Sequence, residues 1–385
     1  MQRRYKMRAI PLQVRFMLLK MLQYAITTSF SSFILAYLKS ARALSDSQAS
    51  LMLMLNTLGA FAGQYVIGQA CDRFRTHKKV FYAVFIMLVP VALILYSVKN
   101  VTLMSIFYLL FGFAQIPFSV IIDTWFLDTY PGDTGTYGKV LASGAVAYAI
   151  LSVTYGKLLD TVGYGIMPWC LIGLVVVACI VGATVPDASL SSGVRKRGGA
   201  GVKAFPKALV IFLLTLMMIG IAGNTYSLLP VLMENVHGSN ILLGLAMSSS
   251  GIFQIPFMLI TGKMKSIPAR IRVAIAGVIY LTMVLLFAFG RSPWPLIIGA
   301  GISGGAWGIM LPAYRELVGE LATDEVRTTA QGLADAIYLS MGGALASGIV
   351  SATSGAFGMR IPLIGIAIVA VIAICMLILA SRKRR

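Results

Sequence analysis

The chain has 385 residues, of which 58% are hydrophobic and only 12% charged, with a formal net charge of +19. Soluble domains sit near half apolar and a quarter charged, so this balance excludes an ordinary water-soluble domain and points to a protein built for lipid. The positive charge falls in short segments between apolar runs, where membrane topology explains it better than nucleic-acid binding does.

A membrane-crossing helix needs about 20 mostly apolar residues, and twelve such stretches succeed one another along the chain. The short alternating segments of a closed β-barrel are not seen. The first stretch, 12–38, is too long for a signal-peptide core and lacks a small-residue cleavage site, so it reads as a retained helix. Lys20, Tyr24, Thr27 and Ser31 form a polar stripe along it. Lys20 either faces a wet cavity or snorkels to the headgroups. The second stretch, 49–71, leads through Gly68 and Asp72 into a basic loop with Arg73, Lys78 and Lys79; the third is 80–98. The fourth, 101–128, carries Gln115, Ser119 and Asp123 on one helical face, with Tyr108 further along. An ionised group at the bilayer centre costs about 3 kcal/mol on insertion scales, so Asp123 is expected either to line a cavity or to sit hydrated at the interface. The fifth and sixth stretches are 139–158, opening on Lys139, and 166–185.

Residues 186–207, rich in Gly, Ser and basic side chains, read as a linker between two sets of six spans, 1–185 and 208–385. In the second set the spans are 208–232, 241–262, 273–290, 295–318, 330–352 and 360–381. Polar groups recur at Asn224 and Tyr226, at Ser303, Trp307, Tyr314, Arg315 and Glu316, at Glu320, and at Gln331, Asp335 and Tyr338. Arg315 and Glu316 face the same pathway or clamp each other; Trp307 is a stacking platform or a packing residue. The two sets echo each other: nearly one displacement relates Gly68 to Gly262, Pro117 to Pro312 and Gly138 to Gly332. Lys and Arg gather on the side that holds both termini, among them Arg8, Arg15, Arg195, Lys203, Lys263 and Arg270. The opposite side has only Lys39, Arg42, Lys99, Lys157, Arg291 and Arg360. The positive-inside rule then expects both termini in the cytoplasm of a cell with this chain in its plasma membrane. Cys71, Cys170, Cys179 and Cys375 show no paired spacing and read as packing residues; His77 and His237 both fall in predicted loops.

The run GQACDRFRTHKK, in the loop after the second span, resembles the signature of the major facilitator superfamily: Gly68, then Asp72-Arg73, then Lys78 and Lys79. Arg75 and Thr76 depart from the usual pattern. The resemblance implies an all-α membrane protein of twelve transmembrane helices in two pseudo-symmetric six-helix bundles. It also implies a conformational latch of Gly68, Asp72, Arg73 and Lys78, in which Gly68 permits close helix approach and Asp72 faces the positive N-terminus of a neighbouring helix, span 11. YGKVLASGAVAYAI, with PFSVIID, LPAYRELVGE and RTTAQGL, is similar to the branch containing lactose permease and the oligosaccharide and nucleoside proton symporters. That branch pairs a carboxylate on span 4 with a basic residue at the start of span 5, places held here by Asp123 and Lys139. Leu141 stands where lactose permease has a sugar-binding arginine.

A nucleotide-binding glycine loop, a metal-ligand cluster and a nucleophile–histidine pairing are not seen in the sequence, so ATP drive, a metal or other cofactor, and enzyme activity are not expected. The expectation is a monomeric secondary transporter for a small polar solute of the sugar or nucleoside kind, working with protons in the lipid bilayer. Asp123, Asp335, Glu316 and Glu320 are the candidate proton carriers. Lys20, Tyr24, Gln115, Ser119, Lys139, Asn224, Trp307, Tyr314, Arg315 and Tyr338 are the candidate substrate pathway. Met217, Met218, Met247 and Met258 leave open a proton-driven efflux antiporter for greasy cations. A sensor that no longer transports, or a membrane enzyme, is the remaining alternative.

Overall fold

The computed structural model describes residues 10–130, 134–187, 205–261, 264–323 and 326–382, and among them every regular element is helical. Twelve helices are long and apolar enough to cross a membrane. They are α1 (Leu12–Arg42), α2 (Asp46–Phe74), α3 (His77–Ser97), α4 (Val101–Thr129), α5 (Thr134–Val162) and α6 (Met167–Thr184). After the linker come α7 (Lys207–Asn235), α8 (Asn240–Thr261), α9 (Ala269–Phe289), α10 (Pro293–Leu321), α11 (327–357) and α12 (Arg360–Arg382). Helices satisfy every backbone polar group within one segment, which lipid demands. Each predicted span is present, most of them a few residues longer at their ends. The basic N-terminal stretch including Arg8, the linker residues 188–204 with Arg195 and Lys203, Lys263, and the tail 383–385 lie outside the described residues.

Local chemistry sets the helix starts. Ser45 and Gln48 form a reciprocal capping box at α2, with bonds of 3.2 and 3.0 Å. Thr76 caps α3 through the Lys79 N–H, and Asn100 caps α4 through the Leu103 N–H. His77, expected in a loop, is the first residue of α3; it is buried and its Nε2 lies 2.7 Å from Asp128. Lys78 donates to the carbonyls of Ala183 and Val185, tying α3 to the end of α6 inside one bundle.

Helices α1–α6 contact one another and α7–α12 contact one another, giving two bundles. Within the first, α2 and α4 touch backbone to backbone: a methyl on Gly59 or Gly63 would fall 2.0 Å from the carbonyl oxygens of Leu109 and Phe113. Between the bundles the main contacts are α5 with α8, α2 with α11, and the far end of α1 with the far end of α7.

The polar bonds across this junction cluster at the end of the bundle away from the termini. Lys39 and Asp46 meet Asn235, the Ser47 hydroxyl donates to the Ser351 carbonyl, and Asp160 accepts from Asn240 and Ile241. At the terminus end the Cβ positions of Gly68, Gly138 and Gly332 have nothing within 4 Å. The close approach at Gly68 that the family signature implies belongs to a state with this end closed, and it is not made here, where nothing stands within 4 Å of its Cβ position.

Candidate functional site

Lys20 on α1 donates to Asp123 Oδ1 at 2.7 Å and to Ser119 Oγ at 2.9 Å on α4. The antiparallel course of the two helices makes this possible. Lys20 is eight residues into α1 and Asp123 six from the end of α4, so at 1.5 Å per residue both lie about 9–12 Å in from the terminus end. The cation is sealed, with 2% of its side chain exposed, whereas 22% of the Asp123 side chain is exposed. A buried charge of this kind is tolerated because it is paired and hydrogen-bonded. The Tyr24 ring, 5.7 Å from the ammonium, closes the pocket. Gly144 of α5 makes room for both: a methyl there would fall 2.4 Å from Tyr24 and 3.1 Å from Lys20 Cγ. Further in, Gln115 donates to the Thr27 hydroxyl at 2.9 Å, and Gln23 does so at 3.2 Å. Thr27 begins a π-helical turn, 27–31, that interrupts α1.

In this state Asp123 pairs with Lys20, and Lys139, the partner implied by the family resemblance, stands apart from it. The face of α5 toward α1 carries Val140, Gly144 and Tyr148, four residues apart, with Tyr148 edge-on to Tyr24 at 5.9 Å. Ser143 of the same helix donates to the Met17 carbonyl of α1 at 3.3 Å, and Lys139, one turn nearer the terminus end, is exposed.

The second bundle holds an ion pair at the same depth. Arg315 Nη2 donates to Asp335 Oδ2 at 2.9 Å, and the Tyr314 hydroxyl donates to Asp335 Oδ1 at 2.6 Å. Arg315 is six residues from the end of α10 and Asp335 eight residues into α11, again about 9–12 Å from the terminus end. This pair is wetter, with side-chain exposures of 50% and 33%. Gln331 donates to the Arg315 carbonyl at 2.6 Å. Tyr137, near the start of α5, stacks on Phe126 of α4 with ring centroids 5.8 Å apart, next to the first pair.

Other predicted residues go elsewhere. Glu316 takes a hydrogen bond of 2.6 Å from Arg272 on α9, so it neither clamps Arg315 nor joins the Asp335 cluster. Glu320 is exposed near the end of α10. Tyr338 turns into the second bundle: it is buried, and its hydroxyl donates to Tyr280 at 3.0 Å. Trp307 stacks on it at 5.7 Å. Asn224 donates to the Gly220 and Tyr338 carbonyls, both at 2.8 Å, stitching α7 to α11. Arg73 is exposed; the Asp72 side chain lies outside the described part of the structure. Gly144, Gln23 and Tyr137 are site residues that sequence reasoning does not find. A glycine gives no periodic signal, and Gln23 looks like one more polar residue on the first span.

The family model described as the MFS_1 like family matches residues 14–361. Among curated proteins none matches. Many solved structures are similar in fold, two of them as follows. A nucleoside transporter, NupG, has a TM-score of 0.81 at 16% identity, over 96% of this chain and 98% of that one. A bacterial homolog of the human lysosomal transporter Spinster, in an inward-facing and occupied conformation, has a TM-score of 0.67 at 16% identity, over 96% of each chain. At that identity the likeness is one of fold.

Proposed function

This chain belongs to the MFS_1 like family of major facilitator transporters, and on that premise we propose that it imports a small polar solute, a sugar or nucleoside, together with a proton. Residues 1–185 and 208–385 are the two halves that rock, 186–207 the linker, and a single copy of the chain suffices in the plasma membrane. The basic residues at the terminus end favour a cytoplasmic position for that end, and its openness then corresponds to an inward-facing state.

The asymmetry of the α1–α4 ion pair carries this reading. Lys20 is sealed, whereas Asp123 keeps 22% of its side chain exposed. A proton arriving on Asp123 neutralises the carboxylate and weakens its bond to Lys20. The ammonium then keeps Ser119 and the Tyr24 ring as partners. Desolvation on closing favours the protonated carboxyl, and renewed pairing with Lys20 favours its loss, so proton binding and release track the conformational cycle. Arg315, half exposed beside Tyr314 and Asp335, offers donors to hydroxyl or base oxygens of a solute. Two cations and two carboxylates leave the site with no net charge, which suits a neutral solute.

A thermal-shift screen of purified protein against sugars, nucleosides and cationic dyes, with counterflow in proteoliposomes as the second step, tests the solute class. A nucleoside or sugar is expected both to raise the melting temperature and to exchange with its labelled form. Stabilisation and exchange confined to cationic dyes would contradict the proposal.

A further inference from the structure

We propose that the chain carries one latch twice, at opposite ends of the pathway, and that Asp160 with Gly156 is the half of it engaged here. The inference rests on the alternating-access reading above and adds the device that sets which end is shut.

The sequence holds the repeat. Gly68 and Asp72 stand four residues apart in α2, and Gly156 and Asp160 stand four residues apart in α5. Both helices have 29 residues, and each aspartate is the third residue from its helix end. Because α2 and α5 run in opposite directions, the two motifs lie at opposite ends of the bundle. Each of these helices packs chiefly on one partner from the other half: α5 on α8, and α2 on α11.

At the end away from the termini the latch is made. Asp160 Oδ1 accepts from the Asn240 backbone N–H and side-chain amide, both at 2.9 Å, and Oδ2 accepts from the Ile241 N–H at 2.9 Å. These are unsatisfied donors of the first turn of α8, where the helix dipole also favours a carboxylate. Tyr164 fixes the other face of Asn240 with a 2.8 Å bond from its hydroxyl to Oδ1. Gly156, one turn before Asp160, is where the α8 backbone seats: a methyl there would fall 2.3 Å from the Asn240 carbonyl oxygen. A side chain at 156 would hold α8 away from Asp160.

At the terminus end the matching seat is empty. The Cβ position of Gly68 has nothing within 4 Å, where Gly156 has a helix start pressed against it. α11 begins at that end as α8 begins at the other. Closing the terminus end seats the start of α11 on Gly68 and caps it with Asp72, while α8 leaves Gly156 and Asp160. One carboxylate cap is thus exchanged for another, which keeps the two states close in free energy.

Labelling of single cysteines tests this in full-length protein whose native cysteines are replaced. S152C reports the shut end, because Ser152 is fully buried and its carbonyl lies against Gly244 of α8. G332C reports the terminus end, where the position is open. Losing a helix cap is expected to shift the balance about fivefold. Asp160→Ala should therefore speed modification of S152C by an impermeant maleimide about fivefold and slow that of G332C. Asp72→Ala should do the reverse, and Asp160→Asn, which keeps one acceptor, should give a smaller shift of the same sign as Asp160→Ala. Unchanged rates in Asp160→Ala and Asp160→Asn, or a rise at both sites from general loosening, would overturn the latch. A protein in which S152C is never modified, with Asp160 intact or replaced, would contradict alternating access itself.

Discussion

Asp123→Asn abolishes accumulation of the solute driven by a pH gradient and leaves solute exchange intact. For one proton per solute, each pH unit supports about a tenfold concentration ratio, so the variant is expected to fall from that ratio to one. Asparagine keeps the shape and a carbonyl oxygen for Lys20, so the pathway survives. It cannot take up a proton, so the cycle runs without its driving ion. The measurement is uptake of labelled solute into reconstituted vesicles with an imposed pH gradient, beside exchange at equal pH. Accumulation at the wild-type ratio would remove Asp123 from the coupling mechanism and leave Asp335, whose pair with Arg315 is more exposed, as the alternative carrier.

The second large effect is on stability. Removing one partner of a buried ion pair costs about 3–5 kcal/mol, since the other charge stays behind uncompensated. Asp123→Asn keeps an acceptor for Lys20 but leaves its charge, with 2% side-chain exposure, without a counter-charge, whereas Lys20→Met strands a carboxylate with 22% exposure. Asp123→Asn is therefore expected to lower the melting temperature in detergent more than Lys20→Met does. The double variant should recover at least half of the larger loss, because an apolar side chain and an amide leave no charge to desolvate. Additive losses in the double variant would mean that the two residues are not energetically coupled.

Nearly all of the fold is legible in the sequence, because each helix must be apolar over a length set by the bilayer and the loops between them are short. The site is legible in parts. Lys20, Ser119 and Asp123 stand out as polar groups where lipid should be, and they do meet. Periodicity assigns a residue to a face of its own helix but is silent on how neighbouring helices are rotated. Here Lys20 reaches Asp123, beside the space that the missing side chain of Gly144 leaves open. The stripe through Thr27 and Ser31 presumes an unbroken helix, whereas the π-helical turn at 27–31 rotates the remainder of α1 by about 100°. A second such turn, at 336–341 in α11, surrounds Tyr338, which uninterrupted spacing sets on the same face as Gln331 and Asp335. Asp160 is inconspicuous in the sequence because an acidic residue at the end of an apolar run is ordinary; only its bonds across the bundle junction give it meaning.

The most direct test of proton-coupled import through Asp123 is the pH of an unbuffered medium when the solute found by thermal shift is added to vesicles with no gradient imposed. The expected result is alkalinisation outside as the solute enters, in fixed proportion to it, and none with Asp123→Asn. Solute entry in the wild type with no change in external pH, or alkalinisation that persists in Asp123→Asn, would contradict it.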